Sequence, residues 1–274
     1  MNRCSKRFPL VWWVVLAATG LAAAEPLPFR AAPVPGGVAL VPLGHSAKAP
    51  SVLYKGARVL LRRNAQGWQA VVGIKLSTKP GRESLIVNGK GVPFRVKGKH
   101  YPEQHLKLEN KRQVTPNAED EARIAREQTL IAPTWKEWPE GLTASLQFHP
   151  PTPGKLSSSF GLRRFFNGEA RAPHPGLDIA APSGQAVRAP ADGIVVLTGD
   201  FFFSGNSVFI AHGEGVVSLL CHLSQIDVKP GQTLKSGETL GKVGMTGRAT
   251  GPHLHWTLSL NNARIDPRIF LRNP

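Results

Sequence analysis

The stretch Gly251-Pro252-His253-Leu254-His255-Trp256-Thr257-Leu258-Ser259-Leu260 combines a pair of histidines with regularly placed apolar residues. It predicts a β-strand in which His253 and His255 point to one face, while Leu254 and Trp256 point to the other. The strand rise sets the two imidazoles about 7 Å apart, so both can address one centre. A His-x-His pair alone is weak evidence, and the case for a site depends on ligands elsewhere in the chain.

Two further histidine motifs lie upstream. His174-Pro175-Gly176-Leu177-Asp178 places a histidine four residues before an aspartate, and His222 follows Cys221 in a second apolar stretch. Zinc binds imidazole nitrogen and carboxylate oxygen, and a catalytic zinc keeps a fourth position for water. His174, Asp178 and one histidine of the later pair would supply three protein ligands. The remaining histidine would be available for proton transfer.

Short apolar runs separated by turn residues dominate the rest of the chain, which predicts an all-β protein. In the N-terminal half, runs at 59–61, 70–72 and 85–87 between Gly- and Asn-containing turns indicate a small β-sandwich. From residue 155 onward, strands are predicted near 193–196, 207–211, 216–221 and 254–260. Between these halves, Thr115-Pro116 and the acidic residues after it predict a helix to about Leu130, and prolines from Pro133 onward indicate a linker.

The first 24 residues have the layout of a secretory signal peptide. Arg3, Lys6 and Arg7 precede an apolar run at residues 10–21, and three alanines then provide a cleavage site after about Ala24. The run is shorter than the ~20 residues that a membrane-spanning helix needs. We therefore expect a periplasmic or secreted protein. Cys221 would be the single cysteine of the mature chain, which excludes an intramolecular disulfide.

The chain is strongly basic, with a formal net charge of +16. Residues 25–150 hold 19 basic and 10 acidic residues, so most of the excess lies in the N-terminal half. Outside the cytoplasm, such a surface meets anionic wall polymers or lipid head groups, and nucleic acid is not an expected partner. A merely solvated basic surface is the alternative.

The histidine motifs occur together with further matching segments, among them Ser158-Ser159-Phe160-Gly161-Leu162-Arg163, residues 176–182, residues 247–252 and Asp266-Pro267. Over roughly 155–270 the chain resembles the lysostaphin-type, or LytM-like, zinc endopeptidases, whose pattern is H-x-x-x-D, then H-L, then H-x-H. The N-terminal part resembles, more loosely, the β-sandwich domains that precede this catalytic domain in some Gram-negative relatives.

The resemblance implies a role for each histidine of the motifs. His174, Asp178 and His255 would be the ligands of one Zn²⁺ per chain, and His222 and His253 would be catalytic histidines that do not bind the metal. The implied substrate is peptidoglycan, cleaved in its peptide cross-links or stem peptides, with the D-alanyl–meso-diaminopimelate link as the natural target in a Gram-negative host. Which histidine is the general base stays open.

Four segments follow from these observations. They are a signal peptide at 1–24, a β-sandwich-like domain at 25–112, a helix with a Pro-rich linker at 113–153, and a LytM-like β-sheet zinc peptidase domain at 154–274. The N-terminal domain could also cover the groove and keep the enzyme latent.

Some features depart from the family pattern or stay ambiguous. Leu220 stands where relatives often carry tyrosine, and no oxyanion donor is evident near Phe165. The aromatic loop at 201–203 either walls a groove or belongs to the core. His212 is expected to be structural, and Cys221 is expected to face the core, opposite His222.

Other classes of protein remain as alternatives. A catalytically silent relative that regulates another wall hydrolase would normally lack ligands, whereas all five residues of the site are present. A wall-binding module without activity is suggested only by the basic N-terminal half. A lipoyl or biotinyl carrier would need a lysine in the turn at 244–247, which has none.

Overall fold

The computed structural model describes residues 27–107, 112 and 114–272. The predicted signal peptide at 1–24 lies outside these residues. In the described part of the chain, no helix combines the length and the apolar composition needed to cross a membrane. Strands make up most of the regular structure, which confirms the predicted all-β class.

Two small sheets form the N-terminal half. Their strands are β1 (Val38–Gly44), β2 (Val52–Tyr54), β3 (Ala57–Arg58), β4 (Leu60–Asn64), β5 (Gly67–Gly73), β6 (Gly81–Val87) and β7 (Lys90–Val96). One sheet has the order β1-β5-β4 and the other β3-β2-β6-β7. They enclose a core that includes Val41, Tyr54, Val72 and Leu85. This is the predicted β-sandwich.

The sheet β1-β5-β4 is buried on both faces. Along β5, Ala70 and Val72 enter the sandwich core, while Val71 between them joins Val38 and Leu60 in the core of the C-terminal half. Strand alternation produces this division, because neighbouring side chains point to opposite faces. The N-terminal sandwich is therefore packed directly onto the rest of the molecule.

An α-helix, α1 (Ala118–Thr134), follows the sandwich. Asn117 caps it: its side chain accepts from the amide of Asp120, whose carboxylate accepts in turn from the Asn117 amide. The predicted helix exists, but it begins slightly later than expected and runs past Leu130. Pro133 does not end the helix. A proline in the last turn removes one backbone hydrogen bond, and this loss is offset because Trp135, just beyond the helix, packs in the core against Phe209.

The C-terminal half is a large antiparallel sheet. Its strands are β9 (Lys155–Ser158), β12 (Leu177–Ala180), β13 (Ala186–Arg188), β14 (Gly193–Phe201), β15 (Gly205–Gly213), β16 (Val216–Ile226), β17 (Thr233–Leu234), β18 (Thr239–Val243), β19 (His253–Leu260) and β20 (Ala263–Ile265). The main path has the order β17-β14-β15-β16-β19-β12-β9. Trp256, Leu258 and Leu260 of β19 lie in its core.

A fourth, small sheet joins segments of the two halves. It consists of β8 (Glu103–Leu106), β10 (Arg163–Phe166) and β11 (Glu169–Ala170), and β8 runs parallel to β10. The register sets Gln104 beside Arg164. A segment that follows the sandwich thereby lies next to the motif that precedes His174.

Polar contacts also join the halves. The amide of Gly73 donates to Asn261 Oδ1 at 2.6 Å, and Asn261 Nδ2 donates to the Gly73 carbonyl at 3.0 Å. Arg62 donates to Glu214 at 2.9 Å and to the Ala144 carbonyl at 2.7 Å. Together with the shared apolar core, these bonds hold the two halves in one arrangement.

Candidate metal centre

Sheet register brings the separate histidine motifs together. Strands β12 and β19 are antiparallel neighbours, with Asp178 directly opposite His255 and Ala180 opposite His253. His174 precedes β12, and its backbone bonds to Leu162 and Gly161 hold it beside the sheet. Residues that are up to 81 positions apart in sequence thus meet at one end of two strands.

His174, Asp178 and His255 converge on one point. Each offers one ligand atom, and the three atoms lie within 4.8 Å of one another. Asp178 Oδ1 is 3.0 Å from His174 Nε2 and 2.7 Å from His255 Nδ1, and these two nitrogens are 3.0 Å apart. All three residues are buried.

A contact on the far side of each ring orients it. His174 Nδ1 lies 2.8 Å from the Ser159 carbonyl, which can only accept, so Nδ1 carries the proton and Nε2 presents a lone pair. His255 Nε2 lies 2.8 Å from the Thr257 hydroxyl, which leaves Nδ1 as the inward atom. Such contacts orient the rings of metal-binding histidines.

The convergence of these atoms fits a cation. Two imidazole lone pairs and a carboxylate oxygen are all acceptors, and acceptors this close repel one another unless a positive charge lies between them. The nitrogen and oxygen donors are of the kind that Zn²⁺ takes in catalytic sites. We conclude that the residues present fit a divalent metal ion of this class.

Titration supports the same arrangement. Burial lowers the pKa of His174 to about 4, although the nearby Asp178 carboxylate favours the protonated ring. Burial alone would raise the pKa of Asp178, but its close contacts with His174 and His255 hold it well below its usual range. At neutral pH the imidazole of His174 is therefore neutral and the Asp178 carboxylate is charged, as metal binding requires.

His222 and His253 lie beside this group. His222 Nδ1 donates to the Thr246 carbonyl at 2.8 Å, and His253 Nδ1 donates to the Gly251 carbonyl at 2.8 Å. In the neutral ring of each, Nε2 is therefore the nitrogen that carries the lone pair. Their ring centroids are 4.8 Å apart, and the centroid of His222 is 6.0 Å from that of His255. Burial, with smaller repulsion from His255 and His253, lowers the pKa of His222 to about 3.

A β-bulge sets the direction of His222. Strand β16 has one extra residue opposite β15 between Leu220 and Leu223, and His222 has a φ of 65°. Strict alternation is interrupted there, and both Cys221 and His222 lie along one cavity, while Cys221 is buried in the core as expected. Burial raises the pKa of the Cys221 thiol well above the ordinary value, which excludes it as a nucleophile.

The second carboxylate oxygen of Asp178 has its own partner. Arg164 donates to Asp178 Oδ2 at 3.0 Å and, through Nε, to Gln104 Oε1 at 3.2 Å. This chain of contacts connects strand β8 to the metal centre. Sequence reasoning missed both Arg164 and Gln104, because only the parallel pairing of β8 with β10 brings them together.

Two cavities meet at the centre. One, of about 330 Å³, is lined by β8, β9 and the loop at 248–252; the other, of about 320 Å³, is lined by α1 and the aromatic loop at 201–203. Arg164, Arg248, His222 and His255 line both. The aromatic loop serves both expected roles, since Phe201 packs on Phe209 and Phe203 faces the second cavity.

The remaining histidines lie elsewhere. His212 is buried, donates through Nδ1 to the Asp192 carbonyl at 2.7 Å and contacts the Ser218 hydroxyl at 2.8 Å, as a structural residue would. The other four are exposed, namely His45, His100, His105 and His149.

Comparison with known proteins identifies the family. The model of peptidase family M23 matches residues 172–267, and that of the M23 N-terminal domain matches residues 31–99. A crystal structure of a peptidase M23 from Pseudomonas aeruginosa is 44% identical, with 87% of this chain and 94% of that chain covered and a TM-score of 0.72. The chain belongs to peptidase family M23. This confirms the resemblance to the LytM-like enzymes and the accompanying N-terminal domain.

Curated relatives of this M23 peptidase match part of its chain. The DD-carboxypeptidase/endopeptidase Mpg of Neisseria meningitidis serogroup B is 42% identical over 113 residues, which are 41% of this chain and 26% of that protein. The peptidoglycan DD-endopeptidase ShyA of Vibrio cholerae is also 42% identical over 113 residues, with the same coverage. The match spans about a quarter of the length of these relatives.

Proposed function

We propose that this M23 peptidase is an exported, zinc-dependent endopeptidase that hydrolyses peptide cross-links or stem peptides of peptidoglycan. The observation that carries the proposal is the convergence of three possible ligand atoms from His174, Asp178 and His255, next to two histidines whose Nδ1 atoms are held by backbone carbonyls. His174, Asp178 and His255 would hold one Zn²⁺. When bound there, the ion would supply a Lewis acid that polarises a carbonyl and acidifies a water.

The two other histidines would move protons. Each has Nδ1 tied to a backbone carbonyl, so the ring is fixed and Nε2 is the atom that exchanges a proton. One of His222 and His253 takes the proton of the attacking water, and a protonated imidazole then donates to the leaving amine. Both side chains are largely buried, which limits competing proton exchange with solvent.

The substrate class is inferred from the relatives. ShyA is named as a peptidoglycan DD-endopeptidase and Mpg as a DD-carboxypeptidase/endopeptidase. We propose the D-alanyl–meso-diaminopimelate cross-link as the bond cleaved. The N-terminal segment at 1–24 would direct export as a signal peptide. A catalytically silent regulator is disfavoured, because all five residues of the site are present and brought together.

The test is digestion of purified sacculi. The zinc-loaded mature chain is incubated with sacculi, and released muropeptides are identified by mass, beside chelated protein and a His255→Ala variant. We expect cleavage by the zinc-loaded protein alone, and the masses of the products identify the bond that is cleaved. Intact sacculi despite one zinc per chain would reject the peptidoglycan hydrolase. Failure to bind zinc would instead favour the silent regulator.

The basic N-terminal half would contact an anionic wall polymer or lipid surface. Arg82 and Arg95 face each other across β6 and β7, and both are exposed. The variant with Arg82→Glu and Arg95→Glu should sediment less with sacculi or anionic vesicles at low salt, while it cleaves a soluble cross-linked peptide at the normal rate. Unchanged sedimentation would remove this role.

A further inference from the structure

The loop between β18 and β19 organises both free histidines of the site. Its Thr246 carbonyl accepts from His222, and its Gly251 carbonyl accepts from His253. Arg248 lies between these two positions, and its amide donates to the Phe203 carbonyl at 2.9 Å. Arg248 is thus carried by the same short segment that orients the two histidines.

Two aromatic rings hold the Arg248 side chain. Its guanidinium carbon is 4.4 Å from the centroid of Phe203 and 4.9 Å from that of Phe166. A guanidinium held against aromatic rings keeps its donors in one plane, so it binds planar, two-oxygen groups without a large loss of side-chain entropy. Arg248 lines both cavities that meet at the metal centre.

The charges around the centre favour an anionic ligand. Among the described residues that line the first cavity, Arg164 and Arg248 are cationic and Asp178 is the acidic residue. Asp178 already contacts Arg164 and two histidines. Burial, with smaller repulsion from Arg164 and Arg171, lowers the pKa of Arg248 to about 10, so three guanidiniums act on the same space. A bound divalent metal would add to this positive field.

We propose that Arg248 forms a carboxylate-binding subsite, which takes the free carboxylate of the residue on the amine side of the scissile bond. The proposal rests on the proposed function and names the feature of the substrate that this site selects. In a D-alanyl–diaminopimelate cross-link, a free carboxylate is attached to the same carbon as the scissile nitrogen. Arg248 lines the cavity that His222 and His253 also line, which is where this carboxylate would lie.

The expected effect is a preference between two substrates. Charge-assisted, two-point bonds between arginine and carboxylate are the strong ones, and such a bond held in the transition state raises kcat/KM. Cross-links with a free carboxylate at this position should be cleaved about 10- to 100-fold faster than those in which it is an amide. Arg164 is not assigned this role, since its Nη2 and Nε donate to Asp178 and Gln104.

The experiment uses two synthetic cross-linked peptides that differ only in this group, a carboxylate or a carboxamide. kcat/KM is measured for zinc-loaded mature protein, for Arg248→Gln and Arg248→Lys, and for Arg163→Gln as the matched control. Arg163 lies on β10, is exposed and pairs with Glu103 outside both cavities. We expect Arg248→Gln to reduce the preference to within about twofold, Arg248→Lys to keep part of it, and Arg163→Gln to keep all of it.

Several outcomes would overturn the subsite. One is equal cleavage of both peptides by the unaltered protein, and another is a full preference retained by Arg248→Gln. Zinc content and thermal melting of each variant separate loss of the subsite from loss of the fold. If neither peptide is cleaved although zinc is bound, the proposed function fails. Calorimetric binding of the two peptides then tests the subsite alone. Equal affinities of the unaltered protein for the two peptides would reject the subsite.

Discussion

Each ring at the metal centre is oriented by an atom on its far side. Backbone carbonyls fix His174, His222 and His253, and a threonine hydroxyl contacts His255. The Asp178 carboxylate is also oriented by its neighbours, because one oxygen contacts the histidines and the other contacts Arg164. Contacts of this kind determine which atom of each side chain is available to a metal.

Arg164 should therefore act as a positioning residue for Asp178. In Arg164→Gln the carboxylate loses a charged donor and is free to rotate, and we expect zinc affinity to fall about 10- to 100-fold. Competition with a chromophoric chelator measures this without reference to activity. Arg163→Gln is the matched control and should bind zinc normally. Equal zinc affinity in Arg164→Gln and the unaltered protein would show that Asp178 is held by the histidines alone.

His212 should make stability depend on pH. Burial lowers the pKa of His212 to about 4, with smaller opposing effects from Asp192, so the folded state excludes a proton that an unfolded imidazole binds below about 6.5. The contribution of His212 to the free energy of unfolding is fully present above about pH 6.5 and is lost as the pH falls to about 4. Its size is roughly 1.4 kcal/mol per unit of difference between the folded and unfolded pKa values.

Denaturant unfolding of metal-free protein at pH 7.5 and pH 4.5 measures this dependence. The comparison with His212→Gln isolates it, because the variant retains a polar side chain without the titration. The unaltered protein should lose more unfolding free energy between the two pH values than the variant does. Equal losses would mean that other buried groups account for the pH dependence.

Among the elements, the pairing of β12 with β19 has the greatest consequence for the site. Gly176 lies where β12 approaches β19, and a Cβ there would be 2.3 Å from the Trp256 carbonyl oxygen. Only glycine permits this approach, and the register that sets Asp178 opposite His255 depends on it. The bulge in β16 is a second local feature on which the site depends, since it turns His222 into the cavity.

The variant Gly176→Ala should separate these strands. We expect a loss of about 1–3 kcal/mol in unfolding free energy and weaker zinc binding, since Asp178 and His255 move apart. Gly98→Ala is the control, because a Cβ there meets its nearest neighbour at 3.9 Å. Unfolding curves and zinc titration of both variants provide the measurement, and normal zinc binding in Gly176→Ala would contradict this account of the register.

One large apolar core is shared by the two halves of the molecule. Val38, Leu60 and Val71 of the sandwich pack in the same cluster as Trp256 and Leu260 of the peptidase half. Asn261 adds two hydrogen bonds to the backbone of Gly73 across this contact. With so much surface in common, the two halves should unfold together.

Asn261→Gly tests this coupling. Glycine accepts the φ of 42° at this position, so the change removes the side-chain bonds without backbone strain. Leaving two buried backbone groups of Gly73 unpaired should cost about 2–4 kcal/mol and lower the temperature of a single transition. Asn64→Ala, which removes a bond within one exposed turn, should cost less. Two separate calorimetric transitions in either variant would contradict a shared core.

Much of this protein follows from its sequence by local rules. Alternation along a strand sets His253 and His255 on one face, short apolar runs between turns indicate an all-β chain, and the spacing of motifs points to peptidase family M23. The alternation is interrupted by a bulge at Cys221 and His222. The same rules place the end of α1 too early, because packing of Trp135 outweighs the proline.

What the tertiary structure alone decides is the environment of the five site residues. Gln104 reaches Arg164, and through it Asp178, only because β8 pairs in parallel with a strand some 60 residues later. Arg248 lies between two rings because separate loops meet at the cavity. The sequence determines the chemical type of each side chain and the face of its strand. The neighbours that orient, charge and bury it come from distant segments, and only folding sets their distances.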